Sequence, residues 1–565
     1  MSERLSTGER LLLVASLGSL LLVTGCGGAG GGDPVASDAR LHLTAVEGVV
    51  TARNRTGGPS KPFVTDSFGA GIALRDLDGD GHLDLFVVGG EEPDTLHLGA
   101  GDGTFRVSAA ALPGADGVCS YGVNATDFDG DGDVDLYVTR RGPNRLLRNR
   151  GDGTFDEVAA ELGLDDPSWS TGAVWLDHDR DGDLDLFVVN HIAFDRAEVE
   201  AKGPSRFLDQ AVYYGPTGLA GQQDRLYRAG EDGRFEDATE AAGLAVQEPH
   251  YGFQALAFDE DGDGWMDLYV ANDTTPNQLW HNRGDGTFEE VAGRVGCALS
   301  MEGGPQAGMG LALGDVQADG QPDLFVTNFS SDYFTLYQRG SDGFWRDRTT
   351  RARLHAPTWN SLGWACGFHD LDSDGALDLW ALNGHVYPQM DAVPDGPGYA
   401  QAPLVFLGDG AGRFAAAEDG GGPGLQGAWA ARGGCAGDLD EDGDLDLVMG
   451  VLDGSPAVLR NDGPQGASVR LELRAAGGGL EAIGARVETT VGDRTVTSYV
   501  GAQGSFLSSG PRTLHLGLGG GPRLDAVRIR WPDGEVQELG SLEASGRYRV
   551  EQGKPDAVRV DGSGG

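Results

Sequence analysis

Asp76-Leu77-Asp78-Gly79-Asp80-Gly81-His82-Leu83-Asp84 decides the fold. It sets Asp at loop positions one, three, five and nine, with Gly81 at position six. The frame returns as DFDGDGDVD at 127–135, DHDRDGDLD at 177–185 and DEDGDGWMD at 259–267. It returns again as DLDSDGALD at 370–378 and DLDEDGDLD at 438–446, and a worn copy, DVQADGQPD, covers 315–323. Asp and Gly are common turn residues, but an ordinary turn does not need five fixed positions repeated seven times.

A hard cation such as Ca²⁺ takes six to eight oxygens at ~2.3–2.6 Å. Alternate Asp side chains in a tight loop converge on such an ion, and glycine takes the sharp turn between them. The first half of the motif matches the helix-flanked EF-hand loop, but no copy carries Glu at position twelve. Apolar, strand-like residues follow instead, as in Leu85-Phe86-Val87-Val88, so each loop joins two strands. The reading assigns calcium to Asp76, Asp78, Asp80 and Asp84; Asp127, Asp129, Asp131 and Asp135; and Asp177, Asp179, Asp181 and Asp185. It continues with Asp259, Asp261, Asp263 and Asp267; Asp370, Asp372, Asp374 and Asp378; and Asp438, Asp440, Asp442 and Asp446. The fifth loop offers Asp315, Asp319 and Asp323, with Gln317 at position three, and is expected to be weak or empty. Six to seven calcium sites are expected in all.

The chain has 565 residues, too many for one small core. Its 94 glycines and short apolar runs between turns predict an all-β protein. The net charge is −45, and the seven loops hold 32 of the 87 acidic residues, so much of that charge is ligand. No basic stripe exists to meet phosphate, which excludes a nucleic-acid partner.

Successive loops start 51, 50, 82, 56, 55 and 68 residues apart, a period that predicts a propeller. GDGTF at 101–105, 151–155 and 284–288 marks a hairpin before the outer strand. Four antiparallel strands per repeat give a seven-bladed β-propeller over 41–463. The seventh blade lacks an outer strand, and Leu41–Val49 has the pattern to supply it. The long third step implies an insertion over 191–223. Residues 464–553 lack the loop but alternate as strands, a small separate β domain. The tail, 554–565, reads as disordered.

At the N-terminus, Leu11–Thr24 is an uncharged apolar run ending Leu22-Val23-Thr24-Gly25-Cys26. Residues 1–26 read as a lipoprotein signal peptide with Cys26 as the lipidated residue, and 27–40 as a flexible tether. This predicts an exported lipoprotein, at the outer membrane or cell surface/periplasm, reaching the membrane through its lipid anchor only. Cys119, Cys297, Cys366 and Cys435 remain, with no pairing fixed.

The loops with GDGTF resemble FG-GAP/VCBS repeats, as in the integrin α-chain propeller. Ala482-Ile483-Gly484-Ala485-Arg486-Val487, Leu514 to Gly519 and Trp531-Pro532-Asp533-Gly534 resemble the ASPIC/UnbV domain. The combination is similar to the cartilage acidic protein family. The resemblance implies a calcium-loaded propeller with an appended β module, exported and linked to adhesion or protein recognition, and it supplies no catalytic residues. The calcium is structural on this reading.

A ligand face is expected opposite the calcium loops. Loops flanking the inner strands carry Trp169, Tyr251, Trp359 and Trp429 beside Asn190, His191, Asn272, Asn328, Asn383 and His385. Rings beside amides suit a protein or carbohydrate ligand, although the same residues serve equally as blade packing and loop caps. The alternative is an enzyme with a second metal on His191, His250 and His385. No nucleophile elbow or phosphate loop accompanies it.

Overall fold

The structure, a computed structural model, describes residues 41–560 apart from 111, 114–116, 418–420, 464–465, 477–480 and 503–504. The expectations placed on 1–26 and 27–40, Cys26 among them, lie outside the described residues.

Apolar alternation and Asp-Gly turns make each repeat a four-stranded antiparallel sheet. In the second repeat the strands are Ser120–Thr126, Asp135–Arg140, Arg145–Asn149 and Phe155–Glu157, paired in chain order. The turn before the outer strand is held by Asp152, whose Oδ1 accepts from the Thr154 backbone N–H at 3.0 Å. Six sheets follow this plan. The seventh is completed from the other end of the chain, where Leu43–Val46 pairs with Ala457–Asn461 in the register Leu43↔Asn461 to Val46↔Val458. This is the outer strand expected from the pattern of Leu41–Val49.

The inner strands, beginning with Ile72–Arg75 and Ser120–Thr126, touch one another in order. Ala431–Gly437 of the seventh sheet meets Ile72–Arg75 of the first, so the circuit closes. Closure leaves few free edges to template aggregation. Blades pack through apolar faces; Ala73, Phe86 and Leu96 of the first meet Val123, Leu136 and Val138 of the second.

The C-terminal domain has its own core. Ser468–Arg474 and Gly546–Glu551 run parallel, flanked by Leu514–Gly517 and Val558–Arg559. A second sheet holds Arg494–Tyr499, Arg486–Val491, Ala526–Arg530 and Val536–Leu539. Val469, Leu471, Val487, Ile529, Trp531 and Val550 meet between them. The short strand at Val558–Arg559 corrects the expectation of disorder from 554 onward: its backbone pairs with Tyr548 and Arg549 and covers a sheet edge.

This domain is not a detachable appendage, and Ala39–Gly565 form one compact unit. Between Tyr499 and Leu514 the chain enters the axis of the ring. Ser505 and Leu311 exchange backbone hydrogen bonds of 3.0 and 3.3 Å. Val123 N–H donates to the Leu507 carbonyl at 3.0 Å, and Leu74 N–H to that of Ser509 at 2.9 Å. The Ser508 hydroxyl accepts from Ile72 N–H at 3.1 Å and Gly434 N–H at 3.0 Å. The inner strands present unpaired backbone to the axis, and this segment supplies partners. Phe506, fully buried, packs on Trp364 and Phe253 at ring separations of 5.0 and 5.7 Å.

The insertion of 191–223 folds as a helix, Arg196–Lys202, and a hairpin, Ser205–Phe207 with Gln210–Val212. It lies across the mouth opposite the Asp loops, with Phe194 on Phe63, Phe207 on Phe329 and Tyr213 on Tyr387.

Candidate metal centres

The glycine at position six has φ between +79° and +103° in all seven loops, a conformation costly for any residue with a Cβ. It is set by the first Asp. Asp76 accepts from Gly79 N–H at 2.9 Å through Oδ1 and from Gly81 N–H at 3.0 Å through Oδ2. Asp127 and Asp259 make the same pair of bonds.

Position nine does more than its spacing suggests. Asp84 accepts from Leu77 N–H through Oδ2 and from Gly99 N–H, in the third strand, through Oδ1, both at 2.8 Å. Asp135, Asp185, Asp267, Asp378 and Asp446 repeat this double tie. Asp323 keeps only the first, from Val316 N–H at 3.0 Å, and its Oδ1 is buried without a partner. The ninth residue therefore fastens the loop to two strands as well as offering ligand oxygens.

The loops fit a hard cation. Two oxygens each ~2.4 Å from one ion lie no more than ~4.8 Å apart. Oxygens of Asp76, Asp78 and Asp84 meet that limit, as do those of Asp127, Asp129 and Asp135, and of Asp177, Asp179 and Asp181. Oδ1 of Asp177, Asp438 and Asp440 is buried with no hydrogen-bond partner. Burial, reinforced by neighbouring carboxylates, raises the pKa values: Asp84 to about 7, Asp135 and Asp446 to about 8. A cluster that resists losing its protons is one that gains from a bound cation.

The loops are not equivalent. In the fourth, His281 Nδ1 lies 3.3 Å from Asp267 and 4.0 Å from Asp261, and the Asp267 carboxylate beside it raises its pKa to about 9. In the third, His178 bonds Asp185. In the fifth, Gln317 donates to Asp319 at 3.4 Å, and Thr497 N–H to Asp315 at 3.2 Å.

The opposite mouth corrects the expected ligand face. Trp169, His191 and His385 are buried at 2%, 0% and 0% exposure beneath the insertion. Asn190, Asn272, Asn328 and Asn383 are also buried, donating to the carbonyls of Gln223, Pro276, Tyr333 and Ala402 at 2.7–2.9 Å. They cap loop backbone. Tyr251 ties the insertion down through its hydroxyl to the Leu219 carbonyl at 3.0 Å, and Trp429 exchanges backbone bonds with Gln401. Trp359 alone of the set is well exposed, at 42%.

The three histidines do not form a triad. His191 packs among Phe68, Trp169, Tyr251 and Phe253, and His385 among Phe207, Phe329 and Tyr387. His250 bonds the Pro276 carbonyl at 3.0 Å. Burial lowers the pKa of His191 and His385 to about 3. The cysteines Cys119, Cys297, Cys366 and Cys435 are free and buried.

The FG-GAP-like repeat model matches residues 76–138, 127–188, 259–326 and 315–381, and the ASPIC and UnbV model matches 477–557. This is an FG-GAP-repeat chain with an ASPIC/UnbV domain. Curated relatives are Cartilage acidic protein 1 of Xenopus tropicalis, 26% identical over 296 residues, and of Homo sapiens, 27% over 287. Each match covers 48% of this chain, and 40% and 39% of the relative. Similar solved structures include an Agrocybe aegerita lectin recognising terminal N-acetylglucosamine, with TM-score 0.39 and 17% identity over 67% of this chain and 88% of that one. Another is YCF48 bound to D1 peptide, with TM-score 0.40 and 10% identity over 76% and 100% of the two chains.

The ASPIC/UnbV domain rests on the Asp-loop face of the FG-GAP ring. Arg470 pairs with Asp438, His515 Nε2 bonds the Gly443 carbonyl at 2.8 Å, and Arg486 donates to the Gly320 carbonyl at 2.9 Å. Arg75 of the ring pairs with Glu481 of the domain.

Proposed function

We propose that this chain is an exported, lipid-anchored FG-GAP propeller that holds calcium in its Asp loops as a structural staple and serves as a recognition, adhesion or scaffold protein. The observation that carries the reading is the convergence of three carboxylate oxygens in each of the first three loops, with buried carboxylate oxygens left without hydrogen-bond partners in the third, fifth and seventh. Calcium supplies the positive charge these oxygens lack. The Asp residues of positions one, three, five and nine hold it, and the ninth also keeps the loop in register. The partner is a protein or a carbohydrate, met on the exposed outer surface, where Trp359 offers an aromatic face.

Melting the mature chain in calcium and in chelator, with a metal count by mass, tests this. Six or seven calcium ions per chain and a large loss of stability in chelator are expected, since each ion at a hundred times its Kd adds about 2.7 kcal/mol. No shift would sink the structural role. Cys26→Ser should release the protein from membranes, and retention would overturn the anchor.

A further inference from the structure

The parallel pair Ser468–Arg474 and Gly546–Glu551 has one apolar and one charged face. Side chains alternate along a strand, so Val469, Leu471, Tyr548 and Val550 enter the domain core. The other face carries Arg470, Glu472, Arg474, Arg547 and Arg549, with Arg470 opposite Arg547 and Glu472 opposite Arg549. Four guanidinium groups and one carboxylate thus confront Asp loops of a chain of net charge −45. The two surfaces close directly at Arg470–Asp438. Elsewhere they stand apart across two cavities of about 510 and 340 Å³ that share Arg547, Thr513 and Pro511 in their walls. The larger is in the size range of small-molecule sites.

The arginines are unevenly committed. Glu472 takes Arg474 at 2.8 Å and Arg549 at 3.2 Å, and reaches Arg547 only at 3.9 Å. Among the described residues the Arg547 side chain has no other ion pair and no hydrogen bond. Arg549 and Arg512, both lining the smaller cavity, have a buried Nε without a hydrogen-bond partner, that of Arg512 standing 3.8 Å from Glu481. The larger cavity adds an apolar wall of Leu83, Leu439, Leu445 and Pro511. The ring side contributes Asp76, Asp80, Asp438 and Glu441 from the first and seventh loops, of which Glu441 is paired with His82 at 2.7 Å and the three aspartates would repel an anion unless neutralised.

We propose that this seam binds a small amphipathic oxyanion, its head on the Arg547–Arg549 face and its apolar body on the leucine wall, once the bordering loops carry calcium. The inference rests on the calcium reading above for the charge of the ring side. Guanidinium forks suit planar carboxylates and tetrahedral sulfate or phosphate esters alike, so the head is an oxyanion of either shape.

The test is calorimetric titration of the calcium-loaded mature chain with hexanoate, hexyl sulfate and hexanol, alongside a metal count. Both anions should bind saturably at one site, with hexanol at least about tenfold weaker. Arg547→Gln should weaken the anions about tenfold, with melting temperature and metal count unchanged. The tighter anion names the head: carboxylate if hexanoate, tetrahedral ester if hexyl sulfate. Hexanol binding as well as the anions, or an unaffected Arg547→Gln, would overturn the site. A full metal count with no anion binding overturns the seam alone. A zero count with Arg547-dependent binding intact overturns the calcium loading and leaves the seam standing.

Discussion

At the scale of the residue, two aspartates of one motif have different work. Asp261, at position three, belongs to the proposed cation site and otherwise accepts only the neighbouring Asp263 N–H, with His281 at 4.0 Å. Its substitution by Ala should lower the melting temperature in calcium and leave the chelator-treated protein unchanged. Asp84, at position nine, also satisfies Leu77 and Gly99 N–H groups. Asp84→Ala strands both and should cost about 2–5 kcal/mol even in chelator. Equal chelator melts for the two variants would refute the division. The raised pKa values give a pH sign. Asp84, Asp135 and Asp446 bind protons more tightly folded than unfolded, with folded values of about 7 to 8. Their stabilising effect is complete below the ordinary carboxylate value and is lost as pH rises through those numbers. In chelator, melting temperature should therefore fall between about pH 5 and pH 8, and calcium should abolish the fall. A chelator melt that rises over that range would contradict it. The Asp frame was legible because chemistry fixes its spacing. The second role of position nine was not, since its partner in the third strand lies between 14 and 44 residues away and carries no signature.

At the scale of the element, strands and turns were readable because period-two alternation and Asp-Gly turns are local signals. The axial segment was not. Ser505-Phe506-Leu507-Ser508-Ser509 carries neither the alternation of a strand nor an Asp-Gly turn, and only the ring gives its backbone partners. The face opposite the loops was misjudged for a related reason. The insertion has no repeat partner to reveal its position, so the sequence left Trp169 and His191 open between ligand contact and packing, whereas Val199, Val212 and Tyr213 share one core with Trp169. Phe506→Ala tests the axial segment. It should cost about 3–5 kcal/mol in calcium and chelator alike, read as a shift in denaturant midpoint. A loss below about 1 kcal/mol would mean that the phenyl ring does not fill the axis.

At the scale of the whole molecule, the ring is sealed by its own termini. His42 N–H reaches Asn461 Oδ1 across 419 positions, beside the pairing of Leu43–Val46 with Ala457–Asn461. Closing so long a loop costs only about 2 kcal/mol more than closing one of fifty residues, so the constraint is one of time rather than energy. A chain made from its N-terminus must hold six blades with the circuit open until the seventh emerges. The segment that completes the axis follows later still. A polypeptide ending short of residue 500 is thus not a smaller version of this protein but an unfinished one, with inner strand edges exposed to every neighbour until synthesis of the last stretch ends the wait.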